Sequence, residues 1–363
     1  MTKSFIYQPR GLVLGLAGIA LGAMVLASGA KAADPLMYKG ADRAKVILDG
    51  AKKEGKLVFY SSMIVNQALR PMTEAFMAKY PGIKVEYWRG SGRGIVQKVL
   101  AEIRAKSLRV DVIESSGIAG ALMAAKVLVP FHTPESAPYS ADYRQPKGLY
   151  VASRISYFGT AYNTKLVKKR ELPKTYADLL DSKWKGKIAW RAGSESGAPL
   201  FIGNIIQLMG KAKGEGYLKK LAKNKIVNYS GSARALVDRT GQGEYSMAIN
   251  IFSHHPLISQ KKGAPLELAV HDPIPSILST IVVPKGVKHP HAAMLFTDFF
   301  LSKEGQTVLA KANYFPPHPD VNPSKMLSKA IPRNNKMREK AFSPELLFAT
   351  RNHSNDLFNK LFK

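Results

Sequence analysis

The feature that most limits how this chain can fold is an alternation of short apolar runs with amphipathic helical stretches, joined by loops of serine and glycine. Leu57-Val58-Phe59-Tyr60 reads as a buried strand. Leu69, Met72, Phe76 and Tyr80 come next at helical spacing until Pro81-Gly82 stops the helix. Residues 83–88 form the next strand pattern, and Ile95, Val96, Val99, Leu100 and Ile103 mark a second helix. A third strand over 110–114 and a third helix over 118–126 complete the block, after an opening helix at about 41–54. This β-α-β-α-β-α order requires a parallel sheet with helices on both faces.

The pattern restarts further on. Strands are expected at 187–190, 226–229, 247–250 and 266–270, and helices at 198–210, 215–223, 232–240 and 254–262. Between the blocks lies 150–163, apolar and aromatic (Ile155, Tyr157, Phe158, Tyr162) and without a helix partner; 277–283 is its counterpart after the second block. These two read as strands that cross between lobes. The expected fold is therefore α/β with two lobes, each a mostly parallel sheet flanked by helices, joined by two crossing strands. Helices at 291–302 and 303–312 come after it, then a proline-containing tail that ends in a helix near 344–362. The 363 residues agree with two units at about 150 residues per domain. The expected division is lobe one at 33–155 plus 280–330, lobe two at 156–279, and a C-terminal extension at 331–363.

Residues 1–32 have the three parts of a secretory signal. Lys3 and Arg10 supply the positive start, 11–29 is uncharged with an apolar centre, and Ala30-Lys31-Ala32 is an A-x-A cleavage site, with the cut after Ala32. With no cysteine there is no lipoprotein anchor, no disulfide and no thiolate chemistry. The expected location is the periplasm. The chain carries 54 Lys+Arg against 26 Asp+Glu, a net charge of +28; Lys3, Arg10 and Lys31 leave with the leader, so +28 becomes +25. The lysines are scattered singly and in pairs, with no long basic run, so a nucleic-acid partner is not expected. An anionic solute, an anionic surface and a merely solvated basic exterior remain as readings of the charge.

The chemistry is concentrated in the loops that leave the strands. These are Ser61-Ser62, Arg89-Gly90-Ser91-Gly92, Ser115-Ser116-Gly117, 191–197, Ser230-Gly231-Ser232 and Ile251-Phe252-Ser253-His254. All six lie at the carboxyl ends of parallel strands, where open α/β sheets bind ligands. Serine caps a helix start, and that end favours an anion by about 0.3–1 kcal/mol. Any one loop is ordinary capping; the set in register across two lobes is what points to a site. The candidate ligand-binding residues are Ser61, Ser62, Ser91, Ser115, Ser116, Arg191, Ser194, Ser232, Asn250 and Phe252. Arg191 is placed to fork an acid group, and Arg89 and Arg93 flank the second loop in the same way.

Enzyme motifs fail. Residues 193–197 have glycines at nucleophile-elbow spacing, but Glu195 stands where serine is required. Gly90, Gly92 and Gly94 miss the dinucleotide fingerprint, and no phosphate-binding lysine loop exists. Ser259 to Lys262 matches S-x-x-K without its companion motifs. His254-His255, adjacent on a helix, point about 100° apart and chelate poorly. No enzymatic activity, metal or cofactor is expected.

The chain resembles the periplasmic substrate-binding proteins of bacterial ABC importers, within the extracellular solute-binding family that includes the ferric-ion binders. The carrying segments are Gly55-Lys56-Leu57-Val58-Phe59-Tyr60-Ser61-Ser62, Tyr80-Pro81-Gly82-Ile83-Lys84-Val85, Arg89-Gly90-Ser91-Gly92, Tyr162-Asn163-Thr164, Leu172-Pro173-Lys174-Thr175-Tyr176-Ala177-Asp178-Leu179 and Trp184-Lys185-Gly186-Lys187-Ile188. The resemblance implies a type II Venus-flytrap fold, a monomer, that closes on a small-molecule solute and delivers it to an inner-membrane ABC permease. Ferric-binding relatives carry an adjacent tyrosine pair where Phe252 and Ser253 stand here. The leading expectation is thus a small anionic organic solute, a carboxylate or phosphonate. The alternative is ferric iron, free or chelated, with Tyr60, Tyr157 and Tyr229 as the phenolates.

Overall fold

The computed structural model describes residues 34–192 and 196–363; the expected leader and its cleavage site lie outside the described residues. In the first block, α1 (Arg43–Glu54), β1 (Lys56–Ser61), α2 (Arg70–Lys79), β2 (Lys84–Arg89), α3 (Gly92–Arg104), β3 (Val112–Ser116) and α4 (Ala119–Ala124) run in order, then the two-residue β4 (Leu128–Val129). A π-helical turn at Val65–Leu69 leads into α2. β1 pairs in parallel with both β2 and β3. Alternation along β1 explains the two helical layers. Leu57 and Phe59 face one cluster with Phe76 of α2, while Tyr60 faces another with Ile95 and Val99 of α3.

The second block contains β5 (Val151–Asn163), β6 (Ile188–Arg191), α5 (Ala198–Met209), α6 (Lys211–Ala222), β7 (Val227–Tyr229), α7 (Ala233–Gln242), β8 (Met247–Phe252), α8 (His254–Lys261) and β9 (Leu266–Ala269). β6 lies between β7 and β8 and is parallel to both. Its side chains alternate likewise: Ile188 and Trp190 pack with α5 and α6, and Ala189 packs with Leu236 and Val237 of α7.

The chain closes with β10 (Ile274–Pro284), α9 (Pro290–Leu301), α10 (Lys303–Lys311), β11 (Glu339–Phe342) and α11 (Pro344–Phe362). The main path of the sheet is β2-β1-β3-β10-β5-β8-β6-β7. β5 and β10 are the two crossing strands, antiparallel to each other and buried along their whole length. β5 changes partner between Tyr157, paired with β10, and Phe158, paired with β8. That switch carries one strand out of the first sheet half and into the second.

Two pairings go beyond the expected pattern. β9 joins β5 antiparallel, as β8 does, and β10 joins β3 antiparallel, so each half of the sheet is mixed at the crossing strands. β11 adds in parallel to β10, so the tail contributes a further strand beside the crossing pair. α11 then runs from α4 to the second half. A Cβ on Gly120 would lie 2.3 Å from the Pro344 carbonyl oxygen, so only glycine lets the helices approach this closely. At its other end, Phe358 and Phe362 sit 6.1 and 4.6 Å from the Trp190 ring, and Asn228 Nδ2 donates to the Phe362 carbonyl at 2.5 Å.

Candidate functional site

The carboxyl ends of β1, β2 and β3 face those of β6, β7 and β8 across the crossing strands, and a cluster of arginines occupies this zone. Arg154 is on β5, in a strand otherwise apolar or small, and is only 4% exposed. Its Nε donates to Glu114 Oε1 at 2.9 Å, one Nη donates to Ser62 Oγ at 3.2 Å, and the guanidinium lies 4.8 Å from the Tyr314 ring centroid. Glu114 is fully buried and accepts two further bonds, from Ser61 Oγ at 2.7 Å and Ser153 Oγ at 3.1 Å. This ion pair is therefore closed on itself, with its charges balanced and its lone pairs engaged.

Arg191 ends β6. Its Nε donates to the Gly231 carbonyl at 3.3 Å, and the adjoining Ala192 N–H donates to the Tyr229 carbonyl at 2.7 Å. The side chain is thus aimed by backbone of the neighbouring strand-end loop. Burial, and then the charge of Arg89, hold its pKa below the ordinary arginine value. Arg89 ends β2 on the opposite half and is exposed. Its charge also acts on Tyr314, whose phenol pKa burial raises. Neither Arg89 nor Arg191 has an acidic partner among the described residues.

His255 feels the charge of Arg191, and Phe252 and His254 pack against His255. Phe252 packs on Phe158 at 5.0 Å and on His255 at 5.5 Å, and the two imidazoles are 4.4 Å apart. Burial, then the charges of His255, Arg154 and Arg234, keep the His254 pKa well below the ordinary histidine range. Burial and then the charges of Arg234 and Arg191 push His255 down to about 3. Both rings are neutral at neutral pH. Arg234 of α7 donates to the His255 carbonyl at 3.3 Å and pairs with Asp238 at 3.0 Å.

The structure distributes the sequence-predicted residues unevenly. Ser62, Arg191 and Phe252 are half-buried beside the arginine cluster. Ser61 is buried, donating to Glu114 and accepting from the Met63 N–H. Ser91 and Ser232 are exposed at the starts of α3 and α7, where each hydroxyl accepts a backbone N–H, from Gly94 and Ala235. Ser115 is buried, and Ser116 shares a 2.6 Å hydrogen bond with Ser279 of β10. Asn250 is buried with φ of 51° and donates to the carbonyls of Ser196 and Gly197, at 3.3 and 2.8 Å. It thereby holds the two residues that lead into α5. Ser194 lies outside the described residues.

The three tyrosines singled out for iron are in different surroundings. Tyr60 donates to Glu102 at 2.7 Å between β1 and α3; Tyr157 packs on Phe315 at 5.0 Å; Tyr229 has the Arg239 guanidinium 5.5 Å from its ring. Burial raises the phenol pKa of both Tyr60 and Tyr157. Among the described residues, no group of three His, Asp or Glu side chains is arranged to hold a metal ion. Sequence reading missed Arg154, Glu114 and Tyr314. The available signal was one arginine inside an apolar crossing strand, which burial permits only with a counter-charge.

Two α/β lobes on a shared pair of crossing strands, with charged groups gathered at facing strand ends, define the class of solute-binding proteins. The profile described as "Bacterial extracellular solute-binding protein" matches residues 71–336, and the chain belongs to this family. It is 29% identical over 272 residues to an uncharacterized protein of Haemophilus influenzae, covering 72% of this chain and 77% of that one. It is 25% identical over 277 residues to the Fe(3+)-binding periplasmic protein of Serratia marcescens, covering 73% and 79%. Among solved structures it is similar to the periplasmic binding protein AfuA of Actinobacillus pleuropneumoniae with fructose-6-phosphate bound, with TM-score 0.70, 26% identity, and 85% and 97% of the two chains covered. Iron-bound HitA of Pseudomonas aeruginosa shares the fold, with TM-score 0.72, 22% identity, and 84% and 99% covered.

Proposed function

We propose that this protein works in the periplasm after loss of its leader at Ala32. There it captures a small anionic organic solute, a carboxylate or phosphonate, and hands it to an inner-membrane ABC permease. The lobes would be 33–155 with 280–330 and 156–279, a division supported by the partner change of β5 at Tyr157 and Phe158. The observation that carries the solute class is Arg191, half-buried, aimed by the Gly231 carbonyl and with no acid among the described residues to neutralise it. An anion forked by its Nη groups supplies that charge. Phe252 would pack the apolar part of the solute, and Ser62 would contribute a hydroxyl. AfuA, at 26% identity, holds fructose-6-phosphate, which is an anionic organic solute.

Ferric iron held together with an anion is the second reading, favoured by the Fe(3+)-binding relative from Serratia marcescens. Native mass spectrometry of protein taken gently from its own periplasm separates the two. An excess mass matching an organic acid or phosphonate without metal supports the leading reading, and an iron-containing excess overturns it. Arg191→Ala should weaken binding of the identified solute at least tenfold, since hydrogen bonds to charged groups are worth about 1.5–3 kcal/mol. Titration calorimetry showing unchanged affinity would remove Arg191 from the site.

A further inference from the structure

We propose that the outer face of α3, with Trp88 at its edge, docks on an anionic phospholipid surface. This needs the exported location proposed above, but not the identity of the solute.

β2 is the edge strand of its half of the sheet, and its carboxyl end presents Tyr87 and Trp88, each 37% exposed. Neighbours on a strand point to opposite faces, so only one of the two lies on the α3 side. That one is Trp88. Its ring meets Tyr60 edge-on at 5.3 Å, and the Lys98 ammonium of α3 sits 5.4 Å from both ring centroids. A Cβ on Gly90 would lie 2.3 Å from the indole, so loop backbone rests directly against the ring. The indole is thus already fixed in its half-exposed position.

The surface around it is basic. α3 exposes Arg93, Gln97, Ala101 and Arg104 as a stripe at helical spacing, and Lys106 and Arg109 follow the helix, both exposed. Residues 84–109 hold seven Lys or Arg and two acids. Both acids are engaged. Glu86 lies 3.9 Å from Lys84 Nζ. Buried Glu102 accepts from Tyr60 Oη at 2.7 Å and from the Arg109 N–H at 3.1 Å, and pairs with Lys98 at 3.0 Å.

An indole ringed by Lys and Arg is the chemistry of a bilayer surface. The amphipathic ring settles at headgroup depth, and each basic side chain near anionic headgroups adds attraction. A second copy of this chain is a poor occupant, because both copies would bring the same net +25 to the contact.

The test mixes mature protein from the periplasm with vesicles of phosphatidylglycerol or of phosphatidylcholine, read by co-sedimentation and tryptophan emission. Trp184 and Trp190 are 4% and 0% exposed, so of the three tryptophans Trp88 reports the contact. The expected result is salt-sensitive binding to phosphatidylglycerol alone, with a blue shift and quenching by brominated lipid that Trp88→Phe removes. Arg104→Gln with Lys106→Gln should weaken binding about tenfold or more. Lys219→Gln with Lys220→Gln takes the same charge from the exposed side of α6 and should leave binding almost unchanged. Circular dichroism checks that each variant is folded. Equal weakening by the two pairs would mean that net charge alone drives adsorption, and overturns the proposal. Binding with no change in Trp88 emission overturns it too. So does equally tight binding to polyglutamate, which would give the face to an acidic protein. Each of these failures leaves the solute reading standing.

Discussion

At the scale of single residues, the Arg154–Glu114 pair ties β5 to β3. Arg154→Met would leave Glu114, fully buried, without its counter-charge. Breaking such a pair costs about 3–5 kcal/mol, and the urea midpoint should fall accordingly. Adding Glu114→Gln should recover part of that loss, because the orphaned charge goes with it; no recovery would mean that the penalty is packing rather than charge. The buried histidines give a pH dependence of defined sign. Their folded pKa values are depressed, so below about pH 6.5 the unfolded chain binds more protons than the folded one. Stability is full above that pH and declines as pH falls, with His255 continuing to about 3, by up to about 1.4 kcal/mol per pH unit for each ring. The slope of stability between pH 7 and 5.5 should be shallower in His255→Gln; equal slopes would show that His255 is not held neutral. The place of Arg191 at the end of β6 was legible, because an apolar run stops there before a serine loop. The sequence concealed Arg154, because the acid that explains it is 40 positions away. A serine at a strand end looks the same in sequence whether it faces a solute or, as at Ser61, donates to a buried carboxylate.

At the scale of elements, α11 was half readable. Its amphipathic pattern placed a helix near 344–362, and Pro344–Phe362 is found. Its docking surface was hidden, because close approach depends on a glycine far away in the chain. Gly120→Ala would set a methyl against the Pro344 carbonyl and push the helix off α4. A loss of about 1–3 kcal/mol is expected from this overpacking, measured by chemical denaturation. Phe358→Ala removes a buried ring beside Trp190 and should cost about 3 kcal/mol while changing tryptophan fluorescence. An unaltered spectrum would mean that the helix does not sit against Trp190 in solution. β9 and β11 were harder to place, because short runs in a sequence do not state which strand they pair with or in which direction.

At the scale of the whole molecule, β5 pairs with β10 in one half and with β8 and β9 in the other, so the two halves share a strand. Unfolding should therefore be a single transition, with far-ultraviolet circular dichroism and tryptophan fluorescence superimposing; separated midpoints would show that the lobes melt independently. The alternation of strands and helices announced this architecture, because each parallel strand must be buried on both faces. The strand order was set by contacts too distant to read. The placement of β10 and α11 also orders events in time. During synthesis the sheet of β1, β2 and β3 lacks its antiparallel neighbour until β10 has emerged, and Trp190, with Phe201 already beside it, lacks Phe358 and Phe362 until α11 has. A nascent chain of this design has no finished half to lock before β10 and α11 are made.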